Sequence, residues 1–344
     1  MRFVCTADLH IGEEIPGLDR FKILHQIFNY AKRKEAQFLI VAGDIYEHLM
    51  ISNSLRAKFN QLIKEYTNYF EVVLFPGNHD VGVRTTTLAP LVPFRDKRLR
   101  VVMEPSRFTR DGKRFLILPF KLQMEQDNKY IKQICKEFQG SYECVFAHLL
   151  INGATVGASN FALLSGINRE GFNKYFEAKY FILGHLHKPQ NLDNFYYCGS
   201  PDYLDFGERE DEKRFLYYNN GKLHSIPIEN KSLVQIIVNK EGVKGHLIPN
   251  AIYKIVVNCR KKDIKDIPIK EVIEKIKKKG SVVNKVTWKI KSKGRRQDET
   301  INNNGSLKGN LKRYINRFAK EKNRQEITDI TKEILYEADK NRNK

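Results

Sequence analysis

Paired cysteines are the first thing this sequence lacks. Cys5, Cys135, Cys144, Cys198 and Cys259 are odd in number and show no short paired spacing. That excludes a disulfide framework and a Cys-type zinc site. Cys5 and Cys144 lie inside apolar runs and read as small buried residues, and Cys198 reads as packing. No apolar run is long enough to span a bilayer. Met1-Arg2 passes straight into Phe3-Val4-Cys5 and the acid Asp8, which is not the pattern of a secretory leader. An intracellular protein with no membrane partner is expected. There is one tryptophan, Trp288, and no internal repeat, so repeat architectures are excluded as well.

What is present is a globular composition with a lopsided charge. Of 344 residues, 41% are hydrophobic, enough for one sizeable core and an appendage. Residues 236–344 hold 29 Lys and Arg against 13 Asp and Glu, which is 16 of the formal net charge of +20. A basic excess confined to one region is the footprint of a polyanion partner, although a solvated lysine-rich helix face produces the same count.

Residues 1–235 alternate short apolar strands with amphipathic helices and then turn mostly to strands, which predicts a layered α/β domain. Strands are predicted at 3–6, 38–42, 72–75, 144–147, 180–183, 196–198 and 215–218. Helices are predicted over 19–34, over 52–66 with Ser52 as N-cap, and near 124–138. Hairpin turns are expected at Asp111-Gly112 and Asn219-Asn220-Gly221. Residues 236–293 read as a small α+β unit, with strands at 253–258 and 281–291 and a helix at 269–278. Residues 294–306 are a polar linker. Residues 307–344 carry two apolar helical faces, Leu307, Leu311, Tyr314, Ile315 and Phe318, then Ile327, Ile330, Ile334 and Leu335.

Five of the apolar strands run into residues that can hold a metal. These are Asp8-Leu9-His10, Gly43-Asp44, Gly77-Asn78-His79-Asp80, His148 and Gly184-His185-Leu186-His187. Open α/β sheets gather ligands at the carboxyl edge of their strands, so these groups converge despite their distance in sequence. Asp8 with His10, and His185 with His187, are two residues apart and would share one side of an extended chain. Singly, each motif is common in caps and tight turns. As an ordered set, Asp8, His10, Asp44, Asn78, His148, His185 and His187 offer oxygen and imidazole donors and no thiolate. That mixture suits manganese, iron or zinc, and seven ligands fit two ions if one carboxylate bridges. His25, His224 and His246 lack this setting.

The ordered set resembles the calcineurin-like metallophosphoesterase superfamily over roughly residues 1–230. Three features are similar to its DNA double-strand-break-repair branch, the nuclease subunits of SbcCD-type exonucleases and their archaeal, eukaryotic and phage relatives. They are the opening through Gly12, the segments Tyr197–Pro201, Phe206–Glu208 and Lys213–Phe215, and the basic small unit followed by a helical tail. The resemblance implies an α/β/β/α sandwich with a small α+β capping domain and C-terminal helices. It implies two divalent ions, manganese by family habit, with Asp8, His10 and His187 on one, Asn78, His148 and His185 on the other, and Asp44 bridging.

By the same resemblance His79 is the catalytic histidine, and Asp80 either orients it or caps a turn. Where relatives often carry His or Asp three residues after the bridging Asp, this chain has Glu47, with His48 next, and either stands to support His79. The implied activity is exonucleolytic and endonucleolytic hydrolysis of DNA phosphodiesters by in-line attack of water. Lys261, Lys262, Lys277, Lys278, Lys279, Lys293, Arg295 and Arg296 are candidate phosphate contacts. The tail either binds an SMC-like coiled-coil ATPase or docks on the protein itself, and a homodimer is implied. Two other readings fit less of the chain: a phosphomonoesterase or cyclic-nucleotide enzyme of the same superfamily, and a scaffold without catalysis.

Overall fold

The computed structural model describes residues 1–12, 15–81, 96–121, 128–155, 166–243, 246–291 and Ile327. Two six-stranded sheets dominate. The first is built from β1 (Arg2–Thr6), β2 (Phe38–Ala42), β3 (Glu71–Phe75) and β4 (Leu99–Val101), which run parallel. The second is built from β5 (Ser106–Arg110), β6 (Lys113–Leu118), β7 (Gly140–His148), β8 (Phe176–Gly184), β9 (Gln190–Leu192) and β10 (Phe195–Tyr197), in the order β5-β6-β7-β8-β10-β9. The hairpin β11 (Arg214–Asn219) and β12 (Lys222–Pro227) returns to the first sheet, giving it the order β12-β11-β1-β2-β3-β4. Both hairpin turns form where expected. Asp111 and Gly112, like Asn220 and Gly221, all adopt positive φ, as a two-residue turn between twisted strands demands.

The central strands β1, β2 and β3, and the carboxyl-terminal halves of β6, β7 and β8, are apolar without interruption because they are buried on both faces. Side chains alternate with a period of two. Phe3 and Cys5, Phe38, Ile40 and Ala42, Val73 and Phe75, Cys144 and Phe146, and Ile182 meet in the layer between the sheets. The intervening Val4, Leu39, Val41, Val72 and Leu74 pack with Leu24, Ile27, Phe28, Phe59 and Ile63 from the helices α1 (Arg20–Arg33) and α2 (Asn53–Tyr66). On the far side, Val145, Phe181 and Leu183 pack with Ile134 and Phe172 from α3 (Asn128–Glu137) and α4 (Arg169–Tyr175). The result is the α/β/β/α sandwich.

Helix boundaries follow local chemistry. Asp19 caps α1 by accepting from the Lys22 amide at 3.1 Å, and Ser52 caps α2 by accepting from the Leu55 amide at 3.3 Å. Between the sheets, the rings of Phe3 and Phe38 stack at 4.7 Å, and Phe146 stands edge-on to Phe3 at 5.5 Å. This aromatic layer brings the carboxyl ends of β1, β2, β3, β7 and β8 to one rim.

A third sheet has the order β14-β13-β15-β16, from β13 (Leu233–Asn239), β14 (Gly242–Val243), β15 (Ile252–Arg260) and β16 (Val282–Lys291). The helix α5 (Ile269–Lys278) buries Val272 and Ile276, one turn apart. By compactness the chain divides into two units. One comprises Met1–Ile236, Gly245–Ile255 and Lys270–Val286, and the other Ile237–Lys244, Val256–Ile269 and Thr287–Lys344. Strand β13 runs across position 235. No helix among the described residues is long and apolar enough to cross a membrane.

The aromatic layer makes a first prediction. Phe146→Ala removes a fully buried ring from it and should lower unfolding free energy by about 3–5 kcal/mol in urea titrations under chelator. Met50→Ala, at a position 90% exposed, should change it by less than about 0.5 kcal/mol.

Candidate metal centre

The chain turns abruptly as it leaves each strand. Asp8, His10, Asp44 and His185 all have positive φ, at 53°, 44°, 49° and 97°. Such conformations cost roughly 1–3 kcal/mol each for residues with a side chain, and they persist only where surroundings over-determine them. Here backbone hydrogen bonds do so: Asp8 N to Gly43 O at 3.0 Å, His10 N to Asp44 O at 3.0 Å and Ile11 N to Ile45 O at 2.9 Å. Asp8 and His10 therefore face one site through left-handed turns. The backbone is not extended at either residue, so their two-residue spacing is not what turns them to one side. Gly184 has a different duty. A Cβ there would strike the Ala42 carbonyl oxygen of the other sheet, so only glycine permits this approach.

All seven sequence-predicted ligands come together. Asp8 Oδ1 accepts from the His185 amide at 2.8 Å, joining the two sheets. Asp44 Oδ1 accepts from the His79 amide at 2.8 Å, while its Oδ2 lies 3.6 Å from His10 Nε2 and 3.4 Å from His148 Nε2. Asn78 Oδ1 stands 3.0 Å from His148 Nε2 and 2.8 Å from His185 Nδ1. The His187 ring packs edge-on to His10 at 4.8 Å. Among the described residues, acid and imidazole groups close enough to hold one ion are Asp8, Asp44 and His148, and His10, Glu47 and His79. That grouping cuts across the sorting implied by family resemblance, in which Asp8 and His10 share an ion. Asp44 Oδ2 lies between the two sets in either sorting.

Two imidazoles are held from behind by Nδ1, which leaves Nε2 for a metal, and a third faces a carboxylate there. His148 Nδ1 bonds the Ala42 carbonyl at 2.9 Å, and His187 Nδ1 bonds Glu208 Oε1 at 3.1 Å. Glu47 Oε2 is 2.8 Å from His10 Nδ1, an ion-pair distance, though poorly aligned with its N–H. Glu47 also supports His79: its backbone carbonyl takes His79 Nδ1 at 2.7 Å. Of the two candidates for that role, Glu47 rather than His48 makes the bond.

The Asp80 carboxylate accepts from the amides of Gly77 at 2.9 Å and of Ile45 and Tyr46 at 3.0 Å. It thereby fastens the loop carrying Asn78 and His79 to the loop carrying Asp44, and the His79 ring has Glu47 as its partner instead. Sequence reading missed the carboxylates of Glu47 and Glu208. The first is visible only as a departure from the family pattern, and the second lies 21 residues from the ring it holds.

Electrostatics follow from the dry setting. Burial pushes the Asp80 carboxyl up to about 6, helped by the charge of Asp44 and opposed by its three amides. Burial would also depress the His148 imidazolium, but Asp44 and then Asp8 carry it up to about 9. Burial and the neighbouring His148 charge lower His185 to about 4. Burial alone would raise Asp44, yet His148 and His10 hold it well below the usual carboxylate range. Glu208, likewise against its burial, is held to about 2 by His187 and Lys213. The pattern is that of a cluster of anions needing cations among them.

The profile of the family described as calcineurin-like phosphoesterase matches residues 1–224. The chain is a calcineurin-like phosphoesterase. Members of this family hydrolyse phosphoesters with a dinuclear metal site, and the residues present fit one. Asp8 Oδ2 and His10 Nε2 are buried with no hydrogen-bond partner, although buried polar atoms ordinarily have one. The donors are carboxylate, amide oxygen and imidazole, as hard and borderline divalent ions require. No curated protein sequence matches this phosphoesterase. A solved structure described as a novel archaeal phosphodiesterase is similar at 14% identity over 66% of this chain and 99% of its own, with a TM-score of 0.35.

The candidate phosphate contacts are placed in part. Lys261 and Lys262 open an exposed 3₁₀ turn, Lys261–Asp266. Lys277 and Lys278 end α5 and Lys279 follows it, all exposed, with Lys277 3.5 Å from Glu274. Lys293, Arg295 and Arg296, the linker, and Leu307, Leu311, Tyr314, Ile315, Phe318, Ile330, Ile334 and Leu335 of the tail lie outside the described residues. Ile327 is described and 38% exposed.

The loop fastener yields a second prediction. Asp80→Ala strands three buried amides and should cost about 3 kcal/mol or more of stability by chemical denaturation. Asp80→Asn keeps one acceptor oxygen and should cost less. Equal, negligible losses in both would contradict the role assigned to this carboxylate.

Proposed function

We propose that this phosphoesterase is a DNA nuclease, cutting phosphodiester bonds as exonuclease and endonuclease in double-strand-break processing, recombination or replication. The observation that carries the reading is a full set of seven ligands with His79 beside them, in a chain whose last third is strongly basic. A phosphomonoesterase or cyclic-nucleotide enzyme has no use for that charge, and a scaffold has no use for a complete ligand set. Two divalent ions, manganese being our choice, supply Lewis acidity and offset the charge of the phosphate when bound.

The protein's own groups do the rest. Asp8, His10 and His187, and Asn78, His148 and His185, would hold the ions, with Asp44 shared. His79 has its Nδ1 committed to the Glu47 carbonyl, so Nε2 is the atom left to meet a phosphate oxygen or to give a proton to the leaving 3′ oxygen. Lys261, Lys262, Lys277, Lys278, Lys279, Lys293, Arg295 and Arg296 would bind phosphates without reading sequence. Residues 307–344 would bind the coiled coil of an SMC-like ATPase by their apolar faces, with the nuclease acting inside the cell as a homodimer.

Asp8→Ala or Asp44→Ala should abolish manganese-dependent cleavage of end-labelled linear duplex. His79→Ala should retain metal and lose about 10²–10⁴ in rate. Faster turnover of p-nitrophenyl phosphate than of duplex by the wild type would overturn the substrate assignment. Removing residues 305–344 should abolish capture of the ATPase coiled coil and spare cleavage of simple duplexes. Loss of folding on that deletion would instead place the tail on the protein's own body.

A further inference from the structure

We propose that Glu208 and Lys213 are positioning residues for His187, together fixing both the ring and the main chain of this one metal ligand. The inference deepens the dinuclear reading and rests on it. Glu208 closes a 3₁₀ turn, Phe206–Glu208, and Lys213 immediately precedes β11. Leu216 of β11 lies opposite Cys5 of β1 in antiparallel register. Lys213, three residues before Leu216, and Asp8, three after Cys5, therefore reach the same end of the sheet.

Glu208 Oε1 bonds His187 Nδ1 at 3.1 Å. Glu208 Oε2 accepts from Lys213 Nζ at 2.7 Å, from the Leu204 amide at 3.1 Å and from Ser200 Oγ at 3.4 Å. The Lys213 ammonium also donates to Ser200 Oγ at 2.8 Å and to the His187 backbone carbonyl at 3.2 Å. An ammonium has three donors, and here all three are used on groups around one histidine. The Lys213 side chain is fully buried. A buried ion pair of this kind is weak evidence of stabilisation, since apolar residues of similar volume often serve a fold as well. What it supplies is direction. The carboxylate holds the imidazole as the tautomer with Nε2 free, and the ammonium ties that carboxylate to the main chain of the ring it holds.

The test is calorimetric titration of the full chain with Mn²⁺, resolved by site. Wild type should bind two ions. Glu208→Ala and Lys213→Met should each weaken one site by about 10–100-fold and leave the other within about twofold. His187→Ala should weaken the same site, and His187→Ala combined with Glu208→Ala should be no weaker there than His187→Ala alone. A residue that merely supports the fold would affect both sites and would add its effect to that of His187→Ala. Glu208→Gln is isosteric and serves where the alanine variant does not fold; it should weaken that site by less.

Wild-type affinity at both sites in the Glu208 variants, or full additivity with His187→Ala, would overturn the inference while leaving the dinuclear centre standing. A wild-type protein that takes up no Mn²⁺ would overturn both.

Discussion

A carboxylate taken out of water must be met by positive charge, and Asp44 is taken out of water at the rim where two sheets meet. Its side chain is 2% exposed. One oxygen takes the His79 amide and the other faces His10 and His148. Asp8, equally buried, adds a second negative charge beside it. Without metal, protons must stand in for cations, which is why His148 holds its proton far above the ordinary imidazole range. Divalent ions would displace such protons, so the ligand set is poised for metal by the same repulsion that makes it costly to assemble.

The fold meets that cost with main-chain geometry. Four candidate ligands sit at positive φ, each held by an amide hydrogen bond, and a buried carboxylate from Asp80 fastens two of the loops together. The aromatic layer beneath sets the distance between the sheets. Strained turns on a stiff, close-packed floor form a preorganised site: reorganisation is met once, on folding, and not at each turnover.

Much of this was readable in the residues themselves. Strands buried on both faces write themselves as unbroken apolar runs, so Phe38–Ala42 and the run ending at His148 announce both a strand and its carboxyl end. Asp19 and Ser52 mark helix starts by a local rule, and Asp111-Gly112 marks a hairpin. What failed was the inference from spacing to direction. Two residues apart means one face only in extended chain, and the chain is not extended at Asp8 or His10. What was missed outright were partners set by tertiary approach, such as Glu208 for His187, Glu47 for His10, and the amides of Ile45 and Tyr46 for Asp80. Short strands such as Leu99–Val101 and Gln190–Leu192 carry too few residues to show a period. Residues 1–224 match the calcineurin-like phosphoesterase family.

In the function we propose, one buried carboxylate, Asp44, is shared by two cations. Electron paramagnetic resonance of the protein loaded with two equivalents of Mn²⁺ addresses it most directly. If Asp44 is shared by two ions, they should give the spectrum of an exchange-coupled pair. Asp44→Ala should lose that coupling. Two independent six-line signals from the wild type, or saturation at a single ion, would contradict the account.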